Sequence, residues 1–244
     1  SMLGILTLAP VLARLLRPVL VPVYGFLGAD PAMFAGTILA NDMGGAPLAA
    51  ELAATKEAAQ FGGQIVGSML GPTIVFTIPV ALGIIKESDR KYLATGVLAG
   101  VITIPFGSFF GGLAAGFPIK MILMNLIPIV LFAVLIALGL WKFENGMIKG
   151  FTVFGKCIVV IITIGLAAGI VESLTGIKLI PGMNPLSDGF EIVADISIVL
   201  AGAFPLVFAI TKIFKKPLMR LGKWLKMNDV AAAGLVASLA NSIP

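Results

Sequence analysis

The chain alternates between long apolar runs and short polar breaks. Five runs, residues 61–85, 92–116, 121–141, 151–171 and 190–213, carry few or no charges. Each reaches the about 20 residues that a helix needs to cross about 30 Å of hydrocarbon. Apolar residues are continuous within them rather than alternating in segments of about ten, so they predict helices and not barrel strands. A further apolar run at residues 3–11 opens the chain with neither a charged n-region nor a small-residue cleavage site, so it reads as the tail of a span and not as a signal peptide.

One apolar stretch is broken by Asn41-Asp42-Met43-Gly44-Gly45-Ala46-Pro47. It begins at Asp30-Pro31, an acidic cap followed by proline in the first helical turn. A carboxylate among glycines and a proline, after half a bilayer of apolar residues, predicts a discontinuous membrane helix. Two paths compete for residues 31–54: a re-entrant hairpin, or a full crossing interrupted at its middle. A hairpin starting from a cytoplasmic surface would deliver Lys86, Arg90 and Lys91 to the outside, so parity favours the crossing. Ten helical residues from Pro31 advance about 15 Å, which places Asp42 near the midplane.

The pattern recurs at the far end. Arg17-Pro18 is followed by Asp30 and a small-residue helix reaching Asn41-Asp42, and Lys216-Pro217 is followed by Asp229 and a small-residue helix reaching Asn241-Ser242. Arg17 to Lys216 and Asp30 to Asp229 share one offset, 199 positions. Paired broken helices meeting at a central site are a plan of secondary transporters.

Composition narrows the class. Apolar residues make up 59% of the chain, charged residues 12%, and mean hydropathy is +1.08, which a soluble protein covering itself with polar surface does not reach. The expected fold is therefore all-α, a polytopic transmembrane helical bundle with discontinuous helices and an internal repeat. Residues 1–244 read as one transmembrane domain incomplete at both ends. Cys157 has no second cysteine to pair with and histidine is absent, so neither a disulfide framework nor a histidine-based metal site or proton relay is expected. No phosphate-binding loop argues for an ATP-driven pump.

Basic residues follow topology. With the five long runs taken in order, one face receives Lys86, Arg90, Lys91, Lys142, Lys149, Lys212, Lys215, Lys216, Arg220, Lys223 and Lys226, while the other receives Lys120 and Lys178. That asymmetry assigns the first face to the cytoplasm. Residues 13–29, with Arg14 and Arg17, and residues 212–227, with Trp224 among lysines, then read as cytoplasmic interfacial segments. The net charge of +5 is absorbed by this pattern, and no nucleic-acid partner is expected.

Asp42 is the first candidate for chemistry, because a carboxylate at a helix centre costs about 2.5 to 3.5 kcal/mol on insertion scales and faces a cavity or a partner. Two roles stay open: counter-ion for a cationic solute, and cap for the helix that follows. Asn41 offers a donor and an acceptor beside it, and Gly44 and Gly45 permit close backbone approach. Thr73 follows Pro72 and Asn125 precedes Pro128; each marks either a kink lining a cavity or a packed, merely bent helix. Asn241 is the counterpart of Asn41 in the second copy. Glu191 and Asp195 share a helix face one turn apart, as a cation vestibule or, better, as solvated interfacial residues. An intramembrane aspartyl enzyme needs a second midplane acid, and Asp195 is too shallow to supply it.

Residues 33–45, Met-Phe-Ala-Gly-Thr-Ile-Leu-Ala-Asn-Asp-Met-Gly-Gly, resemble the signature of the EutH family of ethanolamine permeases. So do residues 67–76, Gly-Ser-Met-Leu-Gly-Pro-Thr-Ile-Val-Phe, the Leu123-Met124-Asn125 tripeptide, and residues 231–244. The resemblance implies a polytopic carrier of the bacterial inner membrane. It would import ethanolamine for a cobalamin-dependent lyase pathway, often housed in a microcompartment, with no cofactor of its own. Its partners would be ethanolamine and membrane lipids, with a homo-oligomer open. Family members extend further at both ends, and the connection Gly116-Phe117-Pro118 is short for the family. The site residues, Asn41, Asp42, Gly44, Gly45, Thr73, Asn125 and Asn241, rest on the physical argument alone. A midplane carboxylate and an adjacent amide suit the ammonium and hydroxyl of ethanolamine; another small polar solute such as a nucleoside is the alternative.

Overall fold

The computed structural model describes residues 2–224, and among these the chain is helical with no strand. The first helix, α1 (Met2–Phe26), does not stop at the basic patch but runs through it. It ends where Gly28 adopts φ 68°, with the Ala29 N–H donating to the Tyr24 carbonyl and the Gly28 N–H to that of Gly25, a left-handed glycine cap. Along its second half Leu20 and Tyr24, one turn apart, are buried, while Leu15, Val19, Val23 and Phe26 are exposed. Among the described residues, four helices are long and apolar enough to cross a membrane: Leu3–Phe26, Tyr92–Ala114, Ile119–Phe143 and Lys149–Thr175.

The expected crossing at residues 31–54 is not what the chain does. Helix α2 (Ala32–Ile38) runs seven residues, Leu39 and Ala40 are extended, Asn41–Met43 form one 3-10 turn, and α3 (Gly45–Leu52) returns. Asp30 closes the mouth. Its Oδ1 accepts the Ala32 N–H at 2.8 Å and its Oδ2 accepts the Ala54 N–H at 2.9 Å, so the beginning and end of the segment are adjacent. The segment is a re-entrant hairpin. Seven helical and two extended residues put its tip about 17 Å from its mouth, about half the hydrocarbon thickness.

The next course, residues 56–84, is here called α4 and is less regular than the single span expected from the sequence. Thr55 caps it by accepting the Ala58 N–H at 3.2 Å. Two wide π turns, Phe61–Val66 and Thr73–Thr77, interrupt its α-helical pieces Lys56–Gln60, Gly67–Pro72 and Ile78–Ile84. Pro72 just before the second π turn and Pro79 just after it lack backbone donors, which breaks the regular ladder.

Helix α5 (Arg90–Ala114) ends at Gly116, φ 80°, where the Phe117 N–H reaches back to the Gly112 carbonyl. The helical run Ile119–Thr175 is two helices joined at Phe143, whose φ −135°, ψ 47° is not helical; they are α6 (119–142) and α7 (144–175). The runs expected at 121–141 and 151–171 fall one in each. Glycines fit α1 against α7: a side chain on Gly4 would strike the Ile162 carbonyl, and one on Gly165 would strike Leu8 and the Gly4 carbonyl. Such close approach is the way small residues bring membrane helices together. Large apolar side chains of α5 to α7, among them Phe106, Phe110, Leu135 and Val160, point outward, as a lipid-facing surface requires.

The chain divides into two compact units, residues 1–189 and 190–244. Of the second, residues 190–224 lie in α8 (Leu186–Trp224), which contains Pro205 and Pro217. The run expected at 190–213 and the described part of segment 212–227 belong to this one helix.

Within the first unit several connections share a face with the hairpin mouth. The Asn125 Oδ1, near the start of α6, accepts the Asp30 N–H at 2.7 Å. Phe117 meets Phe61 edge to face at 6.3 Å. Arg14 donates to the Pro181 carbonyl at 3.1 Å, and Arg17 donates to the Glu51 carbonyl in the last turn of α3, a favourable place for a cation. Residues 13–29 therefore lie on the face of the 115–118 and 176–185 connections, the face that carries Lys120 and Lys178.

Candidate functional site

Four of the residues singled out in the sequence, Asn41, Asp42, Gly44 and Gly45, form the hairpin tip. The turn is set by backbone bonds: the Met43 and Gly45 N–H groups both donate to the Ala40 carbonyl, at 3.0 and 2.8 Å. Gly44 has φ 101°, a conformation that only glycine adopts without strain. It also lies against Ile5 of α1, leaving no room for a Cβ. Gly45 is held within 2.8 Å, measured from an added Cβ, of the Ala40 carbonyl oxygen, so the turn depends on both glycines.

The side chains divide their work. Asn41 turns its Oδ1 back to accept the Asp42 N–H at 2.8 Å, which orders the 3-10 turn and leaves its amide N–H groups as donors. Asp42 is exposed, and among the described residues its carboxylate makes no hydrogen bond or ion pair. The helix-cap role left open by the sequence is not the one observed. No side chain caps α3, and the Gly45 and Leu48 N–H groups are taken by the Ala40 and Gly44 carbonyls. A carboxylate three residues before a helix start, beside its positive end, with no cation paired to it among the described residues, can receive one.

The tip is gripped by a ladder of glycines on α4 that the sequence reading passed over. A Cβ on Gly67 would come within 3.3 Å of the Asn41 nitrogen, one on Gly71 would strike the Leu39 carbonyl, and one on Gly63 would come within 2.8 Å of the Ala46 Cα. Across the contact, Gly36 of α2 meets the Gly62 carbonyl. Gly63, Gly67 and Gly71 repeat every fourth residue, a visible small-residue signature for close helix approach.

Thr73 and Asn125 lie elsewhere. The Thr73 hydroxyl donates to the Met69 carbonyl at 2.8 Å, and Thr73 borders a cavity of about 360 Å³ between α4 and α5. Asn125, 4% exposed, is at the hairpin mouth; its Nδ2 donates to the Met121 carbonyl at 3.0 Å while its Oδ1 holds Asp30. It is one end of a clasp and is separated from Asp42 by the length of α2. Asn241 lies outside the described residues, as does Asp229. Among the described residues no group of three or more histidine, cysteine, aspartate or glutamate side chains is placed to hold a metal.

Over residues 1–244 the chain matches the family described as "Ethanolamine utilisation protein, EutH". It is 66% identical over 244 residues to the "Probable ethanolamine permease EutH" of Listeria monocytogenes serotype 1/2a (strain 10403S), covering 100% of this chain and 65% of that protein. Proteins of the same name from Escherichia coli (strain K12) and Salmonella typhimurium (strain LT2) are 52% and 53% identical over 268 positions, with 100% of this chain and 66% of each relative covered. The chain thus spans just under two thirds of the length of these relatives. No solved structure matches the fold.

Proposed function

The chain belongs to the EutH family of ethanolamine utilisation proteins, and on that premise we propose that it forms the larger part of a bacterial inner-membrane permease for ethanolamine. The relatives' names support transport of this solute over the intramembrane enzyme and over carriage of a nucleoside. The observation that carries the mechanism is the tip itself: an exposed carboxylate at the far end of the hairpin, with no partner among the described residues. In this reading Asp42 pairs with the ammonium of ethanolamine, and the free amide N–H groups of Asn41 serve its hydroxyl. Asn241, the counterpart of Asn41 in the sequence repeat, is a further candidate amide. Gly44 and Gly45 keep the backbone thin enough for a small solute to reach the carboxylate.

Sidedness follows from the hairpin. Its mouth shares a face with Lys120 and Lys178, and that face now also receives Arg14, Arg17 and Lys56, five basic residues against the eleven assigned to the other. The positive-inside rule still makes the second face cytoplasmic. The hairpin therefore dips in from the external surface, and residues 13–29 lie on that surface. Solute approaches Asp42 from outside.

The test is uptake of labelled ethanolamine by the full-length protein at low pH and low concentration, where diffusion of the neutral amine is suppressed. Asp42→Asn removes the counter-charge and is expected to lower uptake by at least about tenfold, one charge-assisted bond's worth. Wild-type uptake by that variant would remove Asp42 from the mechanism.

A further inference from the structure

We propose that the cavity between the second π turn of α4 and helix α5 is a second station for a small primary ammonium solute. It is distinct from the hairpin tip, and it rests on the ethanolamine reading for the identity of its natural ligand. The cavity holds about 360 Å³, with Met69, Thr73 and Thr77 on one wall and Val97, Gly96 and Gly100 on the other. Its polar groups are hydroxyls. The Thr73 hydroxyl spends its proton on the Met69 carbonyl, which leaves an oxygen that can only accept, and the Thr77 oxygen one turn on has acceptor capacity as well. Two acceptor oxygens among apolar side chains suit a donor with a short hydrocarbon body, which is the chemistry of a two-carbon ammonium alcohol.

The glycines of the opposite wall leave the cavity open. Gly62, Gly63, Gly67 and Gly71 are packed against the hairpin, so their lack of a side chain is explained by helix approach. Gly96 and Gly100 are exposed, and a Cβ added to either has no atom within 4 Å, as at Gly150 and Gly202. What sets these two apart from Gly150 and Gly202 is their place on the cavity wall opposite Thr73 and Thr77, where the missing side chains keep room for a solute.

Position ties the cavity to the tip. Gly71 packs on Leu39 and Ala40, and Thr73 follows two residues later, so the cavity and the tip lie within about 3 Å of the same depth along α4. The hairpin packs on the Gly63, Gly67 and Gly71 face of α4, and the threonines border the cavity toward α5. Hydroxyls without a counter-charge hold a cation more weakly than Asp42 does, as suits a station that must release what it receives.

The experiment uses the full-length protein with its native cysteines replaced by serine and Gly100→Cys introduced, a position with space for the side chain. The probe is 2-aminoethyl methanethiosulfonate, an ammonium of the right size, with ethanolamine as protectant and wild-type uptake measured in parallel. The expected result is modification that ethanolamine slows, and that it still slows when Asp42→Asn is added. Thr77→Val should raise the protecting concentration about tenfold and Thr77→Ser should restore it. No modification, or modification that ethanolamine leaves unchanged while uptake is intact, overturns the second station and spares the transport reading. Protection in a protein without uptake upholds the station and overturns transport; neither protection nor uptake overturns both.

Discussion

Replacing Asp30 tests the fold-back at the point where it is clasped. The carboxylate accepts the Ala32 N–H at 2.8 Å and the Ala54 N–H at 2.9 Å. A hydrogen bond to a charged group is worth about 1.5 to 3 kcal/mol. The Ala32 bond is partly buried and counts in full, whereas the Ala54 bond is exposed and water replaces most of it, so Asp30→Ala should cost about 2 to 4 kcal/mol. For a chain of this size that lowers the apparent melting temperature by about 4 to 16 °C, read by a thermal shift assay on the full-length protein in detergent. A crossing would use Asp30 only as the cap of one helix, worth about 1 kcal/mol, and Ala54 would be far away. Asp30→Asn separates the two cases: its single carbonyl oxygen serves one N–H and its amide opposes the other, so it should lie nearer to alanine than to aspartate. A loss under about 3 °C for Asp30→Ala, with Asp30→Asn near wild type, would refute the hairpin clasp.

Topology gives an independent check: Phe26→Cys and Ala54→Cys, at positions exposed on either side of the hairpin, should react with a membrane-impermeant thiol reagent from the same, external side, whereas a crossing puts them on opposite sides. Gly71→Leu, whose Cβ would strike the Leu39 carbonyl, should abolish the monodisperse size-exclusion peak, and Gly71→Ala should cost about 1 to 3 kcal/mol as an overpacked contact; a Gly71→Leu protein with wild-type behaviour would mean the hairpin does not lie on α4. Asn125→Leu removes the acceptor for the Asp30 N–H and should destabilise by about 1 to 3 kcal/mol. Because Asn125 sits at the mouth, the concentration dependence of ethanolamine uptake per folded molecule should be unchanged; a selective rise in KM would place Asn125 on the solute path.

The candidate tip was legible in the sequence because its residues are contiguous. A polar heptapeptide in an apolar stretch names Asn41, Asp42, Gly44 and Gly45 without any tertiary information, and the helix break is local backbone chemistry. The long apolar helices were legible for the same reason. What the pattern could not provide was the partner of a partnered group. An amide at Asn125 must find a hydrogen bond, but whether it finds a solute or the Asp30 N–H is decided 95 residues away. Thr73 borders a cavity, one of the two readings that its place beside Pro72 leaves open, and the face of α4 it occupies depends on the π turns, which shift side-chain phase in a way that no count at 3.6 residues per turn anticipates. The glycine ladder at Gly63, Gly67 and Gly71 is visible in the sequence as a four-residue period, but what it packs against, the hairpin, is set by tertiary structure.

The hairpin shows how a sound charge rule can yield a wrong path. Parity counts crossings, and it favours one at residues 31–54 only when residues 13–29 start from the cytoplasm, the side that Arg14 and Arg17 suggest. Those two arginines have local work instead. Arg17 donates to the carbonyl of Glu51 in the last turn of α3, and Arg14 to that of Pro181 in the connection after α7. A guanidinium engaged with a backbone carbonyl is a structural clamp and carries little topological information, whereas the basic residues between Lys212 and Lys226 form a cluster. Weighting by clustering and leaving Arg14 and Arg17 out of the count removes the only objection to a hairpin. Seven residues of α2 and eight of α3, each about 10 to 12 Å long, are too short for two crossings, and the Asp30 bonds to Ala32 and Ala54 hold the two ends of the segment together.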